Sequence, residues 1–254
     1  MTPETKIIDI NLNNIEQYPQ IICFINHKHE SYPLKISWLK KRFQEGLKIK
    51  LLYVTGQKKP IGFIEYLPGE NAWRAVEAKG YLFIHCLFIN GNKYRHDGLG
   101  TLLINAAEKD GKDTYGVATL TSDKAFMANK EIFIKNGYQI AQEKGSDQLL
   151  VKLFQKKVAL PKINNYGQEL TKYQGLNILY SKQCPWVARS IPEIVAFAKK
   201  QGLDVKVVEF QTAQQAQKAP SVYSVFNLIY NGKILADRYI SLKRFSNILK
   251  KELN

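Results

Sequence analysis

Cysteine is scarce: Cys23, Cys86 and Cys184 are the three in 254 residues. Their wide spacing fits neither a disulfide framework nor a metal-ligand pattern, so no metal site is expected and a reducing cytoplasm suits the chain. Long apolar runs are missing as well. The longest, residues 81–89, is nine residues and contains His85, where a membrane-spanning helix needs about 20. No membrane contact is expected. Residues 1–14 lack a basic start followed by an apolar block, so no secretion signal is read. There is no repeat and no low-complexity tract.

Acidic residues are outnumbered, 22 to 37, giving a formal charge of +15. The excess is uneven, +5 over residues 1–155 and +10 over residues 156–254. A basic surface attracts nucleic acid, acidic proteins or phosphorylated ligands, yet the runs here are short, as in Lys199-Lys200 and Lys250-Lys251. Apolar residues make up 45%, enough for a packed core. Pro161, Asn164-Asn165 and Gly167 break the periodicity, which predicts a first domain over 1–155, a linker over 156–175 and a second domain over 176–254.

The patterns predict a mixed α/β chain. Strands are expected at 6–10, 47–55 and 59–67, the last two as a hairpin, with helices at 14–24 and 34–43. Residues 80–90 are apolar on both faces, as in a strand near a sheet centre. Leu99, Leu102, Leu103, Ala106 and Ala107 fall at helical spacing and mark an amphipathic helix over 99–110. A strand at 115–121, a helix at 127–135 closed by Gly137, and strands at 138–143 and 148–154 follow. In the second domain the order is strand 177–180, helix 186–200, strand 203–210, short helix 212–218, strands 222–229 and 233–239, and helix 242–253.

Between the buried strand and its helix stand Arg95, His96, Asp97, Gly98, Leu99, Gly100 and Thr101. A turn at that place aims backbone N–H groups into one concavity, and the helix start adds unpaired N–H groups and a positive dipole end. A pyrophosphate fits such a nest, with Arg95 supplying a formal charge. No Gly-Lys-Ser/Thr follows, which excludes a P-loop, and no βαβ repeat follows, which excludes a dinucleotide fold.

Three features together resemble the GCN5-related N-acetyltransferase (GNAT) family: Arg95-x-x-Gly98-x-Gly100, Leu87-Phe88-Ile89, and Asn136-Gly137-Tyr138. The resemblance covers residues 5–154. It implies a mixed-sheet acyl-CoA N-acyltransferase fold in which two parallel strands splay around acetyl-CoA, the co-substrate. It implies that the backbone of Leu87, Phe88 and Ile89 pairs with the pantetheine arm and that the 95–101 turn holds the pyrophosphate. Cys184-Pro185-Trp186, residues 216–220 and residues 230–233 resemble the YoaP-type C-terminal domain, a smaller thioredoxin-like α/β module attached to such acetyltransferases.

An amine acceptor needs a base. Alternation places Tyr81, Phe83, His85, Leu87 and Ile89 on one strand face, and His85 has a pKa suited to the task. Glu65 is the other candidate; both also have structural readings, as a core histidine and a surface carboxylate. The family's proton-donating Tyr, four residues before the final Gly, is Phe133 here, which leaves Tyr138, Tyr115 or water to stand in. Cys86 follows His85 on the opposite face and reads as a buried structural thiol. In the second domain Cys184 precedes a helix, a place that lowers a thiol pKa. Val187 stands three residues on, so no Cys-x-x-Cys exists. The resemblance implies a cis-proline beside this cysteine, with Pro220 the matching residue. The acceptor pocket is expected from loops near 26–37 and 66–80. The leading expectation is acetyl transfer to an amine by direct attack. The rivals are a non-catalytic acyl-CoA-binding module and a binder of nucleic acid or an acidic partner.

Overall fold

A computed structural model describes residues 4–19, 25–91, 94, 97–124 and 127–253. Contacts divide the chain into two units, the first made of Met1–His27, Leu39–Ala72 and Val76–Ile163, the second of Lys28–Trp38, Trp73–Ala75 and Asn164–Asn254. The division falls inside the segment expected as a linker. Two short stretches of the first half, 28–38 and 73–75, group with the second unit instead.

The first unit is built on a seven-stranded sheet ordered β1-β2-β3-β5-β6-β8-β7. Its strands are β1 (Thr5–Ile10), β2 (Lys48–Val54), β3 (Gly62–Pro68), β5 (Leu82–Ile89), β6 (Gly116–Ser122), β7 (Gln139–Lys144) and β8 (Asp147–Leu153). All neighbours are antiparallel except β5 and β6. β5 takes the middle place, as its two apolar faces require. Helix α2 (Leu99–Asp110) packs Leu99, Leu103, Ile104 and Ala107 onto Ile64, Tyr66, Ile84 and Leu87 of the sheet. Gly46, at φ +88°, lies just past the end of α1 (Ser31–Phe43), a backbone state that glycine adopts without a Cβ penalty.

Three details differ from the sequence expectation. The helix expected at 14–24 is a single 3-10 turn, Ile15–Gln17, and residues 20–24, with Cys23, lie outside the described residues. Helix α3 (Lys130–Lys135) starts three residues later than 127, where the Asn129 side chain accepts from Glu131 N at 3.0 Å and caps it. The linker is not featureless: β9 (Lys162–Ile163) pairs antiparallel with β4 (Val76–Glu77).

The second unit holds a four-stranded sheet ordered β11-β10-β12-β13, made of β10 (Leu176–Tyr180), β11 (Val205–Glu209), β12 (Phe226–Tyr230) and β13 (Lys233–Ala236). β10 and β11 are parallel, bridged by α4 (Pro185–Lys200), and the other pairs are antiparallel. α4 and α6 (Leu242–Leu253) share one core with Ile178, Phe226 and Leu228. Thr212 and Gln215 form a reciprocal capping box that starts α5 (Ala213–Gln217). The strand expected from 222 begins only at Phe226, because residues 221–224 form a bend in which Ser224 has φ +55°.

Candidate active site

The site is set by where two strands part. β5 and β6 pair over three rungs only, Leu82↔Val117, Phe83↔Ala118 and Ile84↔Thr119. Beyond the last rung β5 continues through Ile89 paired to β3 alone, and β6 continues through Ser122 paired to β8 alone. At the fork the Thr119 hydroxyl donates to the Ile84 carbonyl at 3.1 Å. The result is a V whose β5 wall runs through Leu87, Phe88 and Ile89, past the last rung shared with β6. Leu87 and Ile89 turn toward α2, while Phe88 is 45% exposed.

A β-bulge sits at the same place. Glu65 pairs with Cys86 and Tyr66 with Ile84, so His85 is the inserted residue on β5. The insertion breaks the alternation, which corrects the expectation that His85 shares a face with Leu87 and Ile89. Leu82, Ile84, Leu87 and Ile89 all pack under α2, and Ile64 and Tyr66 do so on β3, which turns Glu65 to the opposite face. His85 reaches Glu65 there: Nδ1 lies 3.4 Å from Oε1, and the imidazole meets the Phe83 ring edge-on at 5.7 Å. Glu65 is not the surface carboxylate its position suggests, being 3% exposed. Cys86 is half-buried rather than buried.

The turn after β5 leads into α2 at the open end of the V. Gly98 has φ +74°, and a Cβ there would meet nothing within 4 Å among the described residues. Leu102 N donating to Gly98 O at 3.1 Å is the first bond of the helix, which leaves the N–H groups of Leu99, Gly100 and Thr101 ahead of it without helical acceptors. Gly100 has another reason: a Cβ there would run into Ile132 Cδ1 of α3. Thr101 is fixed by its hydroxyl, which accepts from Asn136 Nδ2 at 3.1 Å. Asp97 is partly exposed. Arg95 and His96 lie outside the described residues.

Tyr138 is not brought to this corner. Its ring packs against Phe133 at 5.3 Å in the core under α2. Burial and the neighbouring Glu108 carboxylate push its hydroxyl well above the usual phenol range. Glu108 lies in the last turn of α2, roughly 12 Å along the axis from Gly100 at 1.5 Å per residue. Cys184 takes the N-cap position of α4 with Pro185 as the first helical residue, as expected. Pro220 is buried, but no cis peptide bond occurs among the described residues, so the expected cis-proline is corrected to trans. Among the described residues no cluster of three or more His, Cys, Asp or Glu gathers as a metal site, and no helix is long and apolar enough to cross a membrane.

A family model for the acetyltransferase (GNAT) family matches residues 12–137, and a YoaP-like model matches residues 205–247. The acetyltransferase match covers just under half of the chain, the part that holds the β5–β6 fork and α2. It is 25% identical to a Bacillus subtilis (strain 168) protein named as an uncharacterized N-acetyltransferase YoaP, over 95% of this chain and 97% of that one. Among solved structures it is similar to the PaiA N-acetyltransferase of Thermoplasma acidophilum, in complex with coenzyme A, at 18% identity and TM-score 0.42, over 59% of this chain and 99% of that one. It is also similar to the Campylobacter jejuni N-acetyltransferase PseH, at 16% identity and TM-score 0.38, over 59% and 99% of the two chains. Thr119 and the His85 bulge escaped sequence reasoning. The threonine inside the apolar run Val117–Leu120 was the one visible signal.

Proposed function

We propose that the first unit transfers an acetyl group from acetyl-CoA to an amine. The observation that carries this reading is the three-rung limit of the β5–β6 pair, with a glycine turn and a helix N-terminus at its open end. The names of the similar N-acetyltransferases and the coenzyme A complex of PaiA point the same way. In this reading the backbone of Leu87, Phe88 and Ile89 pairs with the pantetheine amides. The N–H groups of Gly98 to Thr101 hold the pyrophosphate. His85, backed by Glu65, receives the proton that the attacking amine loses. The amine nitrogen bonds to the carbonyl carbon, the carbon–sulfur bond breaks, and the thiolate leaves to take up a proton from water. Phe133 has no proton to give, Tyr138 is buried under α2 and Tyr115 packs against Tyr81; direct attack needs no acyl-enzyme.

We read the second unit as thioredoxin-like. The order β10-α4-β11-α5-β12-β13-α6 and the sheet order β11-β10-β12-β13 support this, with Cys184 at the first helix start. The scarcity of cysteine supports a cytoplasmic setting.

The test is isothermal titration with acetyl-CoA, followed by an amine panel with free-thiol readout. Micromolar binding with thiol release supports transfer. Binding without release across the panel favours a non-catalytic acyl-CoA-binding module. No binding by folded protein refutes both.

A further inference from the structure

Residues 73–75 fall in sequence between β3 and β5, yet they belong to the second unit. All three are buried: Trp73 is 1%, Arg74 2% and Ala75 0% exposed. Their main chain is held on both sides. Ala75 N donates to Val222 O at 3.1 Å, and Asn164 N donates to Ala75 O at 2.9 Å. The Ser224 hydroxyl donates to Trp73 O at 2.9 Å. The Arg74 guanidinium donates to Gln183 Oε1 at 2.5 Å and to Trp73 O at 2.6 Å. It also lies over the Tyr223 ring at 4.5 Å, a ring that Arg238 approaches at 5.4 Å. Trp73 meets Trp38 edge-on at 5.3 Å, and Lys35 lies over Trp38 at 4.3 Å; both come from the 28–38 stretch of the same unit.

A connecting loop ordinarily runs over the surface with its backbone in water. Here a tripeptide is built in like a core strand, and its one charged side chain is buried with Nη1 donating to Gln183 and to Trp73 O, both in the second unit. We propose that residues 73–75 are a strap anchored by Arg74, a structural part of the second unit. The connection between the strands that carry Glu65 and His85 therefore keeps its shape only while the second unit stays folded. This inference is independent of whether acetyl transfer occurs.

The experiment is hydrogen exchange by mass spectrometry on the full-length protein across a urea series. In wild type, amides of 72–76 are expected to lose protection at the urea concentration that opens 222–228, not the one that opens 48–54. Arg74→Ala is expected to speed exchange of 72–76 and 221–225 together by roughly ten-fold, leaving 48–54 unchanged. If that variant also loses protection at 48–54, Ser224→Ala is read by the same comparison, with an expected change of about three-fold. If wild type opens all three segments together, the variant pattern decides. Opening of 72–76 with 48–54, acceleration of 72–76 alone, or no change in the readable variant overturns the strap.

Discussion

The Thr119 hydroxyl donates to the Ile84 carbonyl at 3.1 Å on the last rung shared by β5 and β6. Thr119 is 3% exposed. The fork is therefore closed by a side chain where the backbone ladder stops, which keeps a buried carbonyl satisfied. Thr119→Val keeps the shape and removes that donor. It is expected to lower stability by about 1–2 kcal/mol, read as a shift in the urea midpoint at unchanged slope. An unaltered midpoint would show that the hydroxyl does not matter at the fork.

Gly98 tests the turn. Its φ of +74° disfavours any side chain, and among the described residues nothing lies within 4 Å of where a Cβ would stand. Gly98→Ala should cost about 1–2 kcal/mol of stability through the left-handed backbone alone. Gly98→Glu adds bulk and negative charge where a pyrophosphate is proposed to sit. Calorimetric titration should then detect no acetyl-CoA binding, while the folded state persists by circular dichroism.

The pair Glu65 and His85 tests the chemistry. His85→Gln and Glu65→Gln should each lower kcat on the order of 10²-fold, with the acetyl-CoA dissociation constant near wild type. Equal losses in acetyl-CoA binding and in turnover would assign the pair a packing role instead.

Acid stability reports on a third place. Asp110, at the end of α2, accepts from the Tyr66 hydroxyl at 2.7 Å and from Lys48 Nζ at 3.1 Å, with Lys50 Nζ at 3.5 Å. Burial pulls its carboxyl upward, but the donors from Tyr66 and Lys48 and the charge of Lys50 outweigh it and hold it below the usual carboxylate value. A depressed carboxyl contributes stability that is fully present above its unfolded value, about 3.9, and is lost as pH falls through the folded one. The stability gap between wild type and Asp110→Asn, measured by denaturation, should be flat from about pH 5 to 7 and shrink below about pH 4. A gap that stays constant at lower pH would contradict the assignment.

Helical spacing made α2 legible to its ends, because five apolar residues on one face leave a single solution. The two apolar faces of β5 likewise placed it mid-sheet. The bulge was hidden, since alternation assumes one residue per rung and nothing in Phe83-Ile84-His85-Cys86 announces an insertion. That is why alternation turns His85 to the wrong face. The burial of Arg74 was equally hidden. Its contacts with Gln183 and Tyr223 span more than a hundred residues, and charge alone suggests solvent. Gly98 and Gly100 each answer a local demand, one of dihedral angle and one of clearance.

The extra residue at position 85 acts as a half-step slip of phase along a single strand. Upstream and downstream halves keep the same oily side down, yet the joint between them aims an imidazole the other way. Deleting His85 itself would restore an even rhythm and remove the imidazole from beside Glu65 in the same stroke, so spacing and chemistry at this point are inherited together.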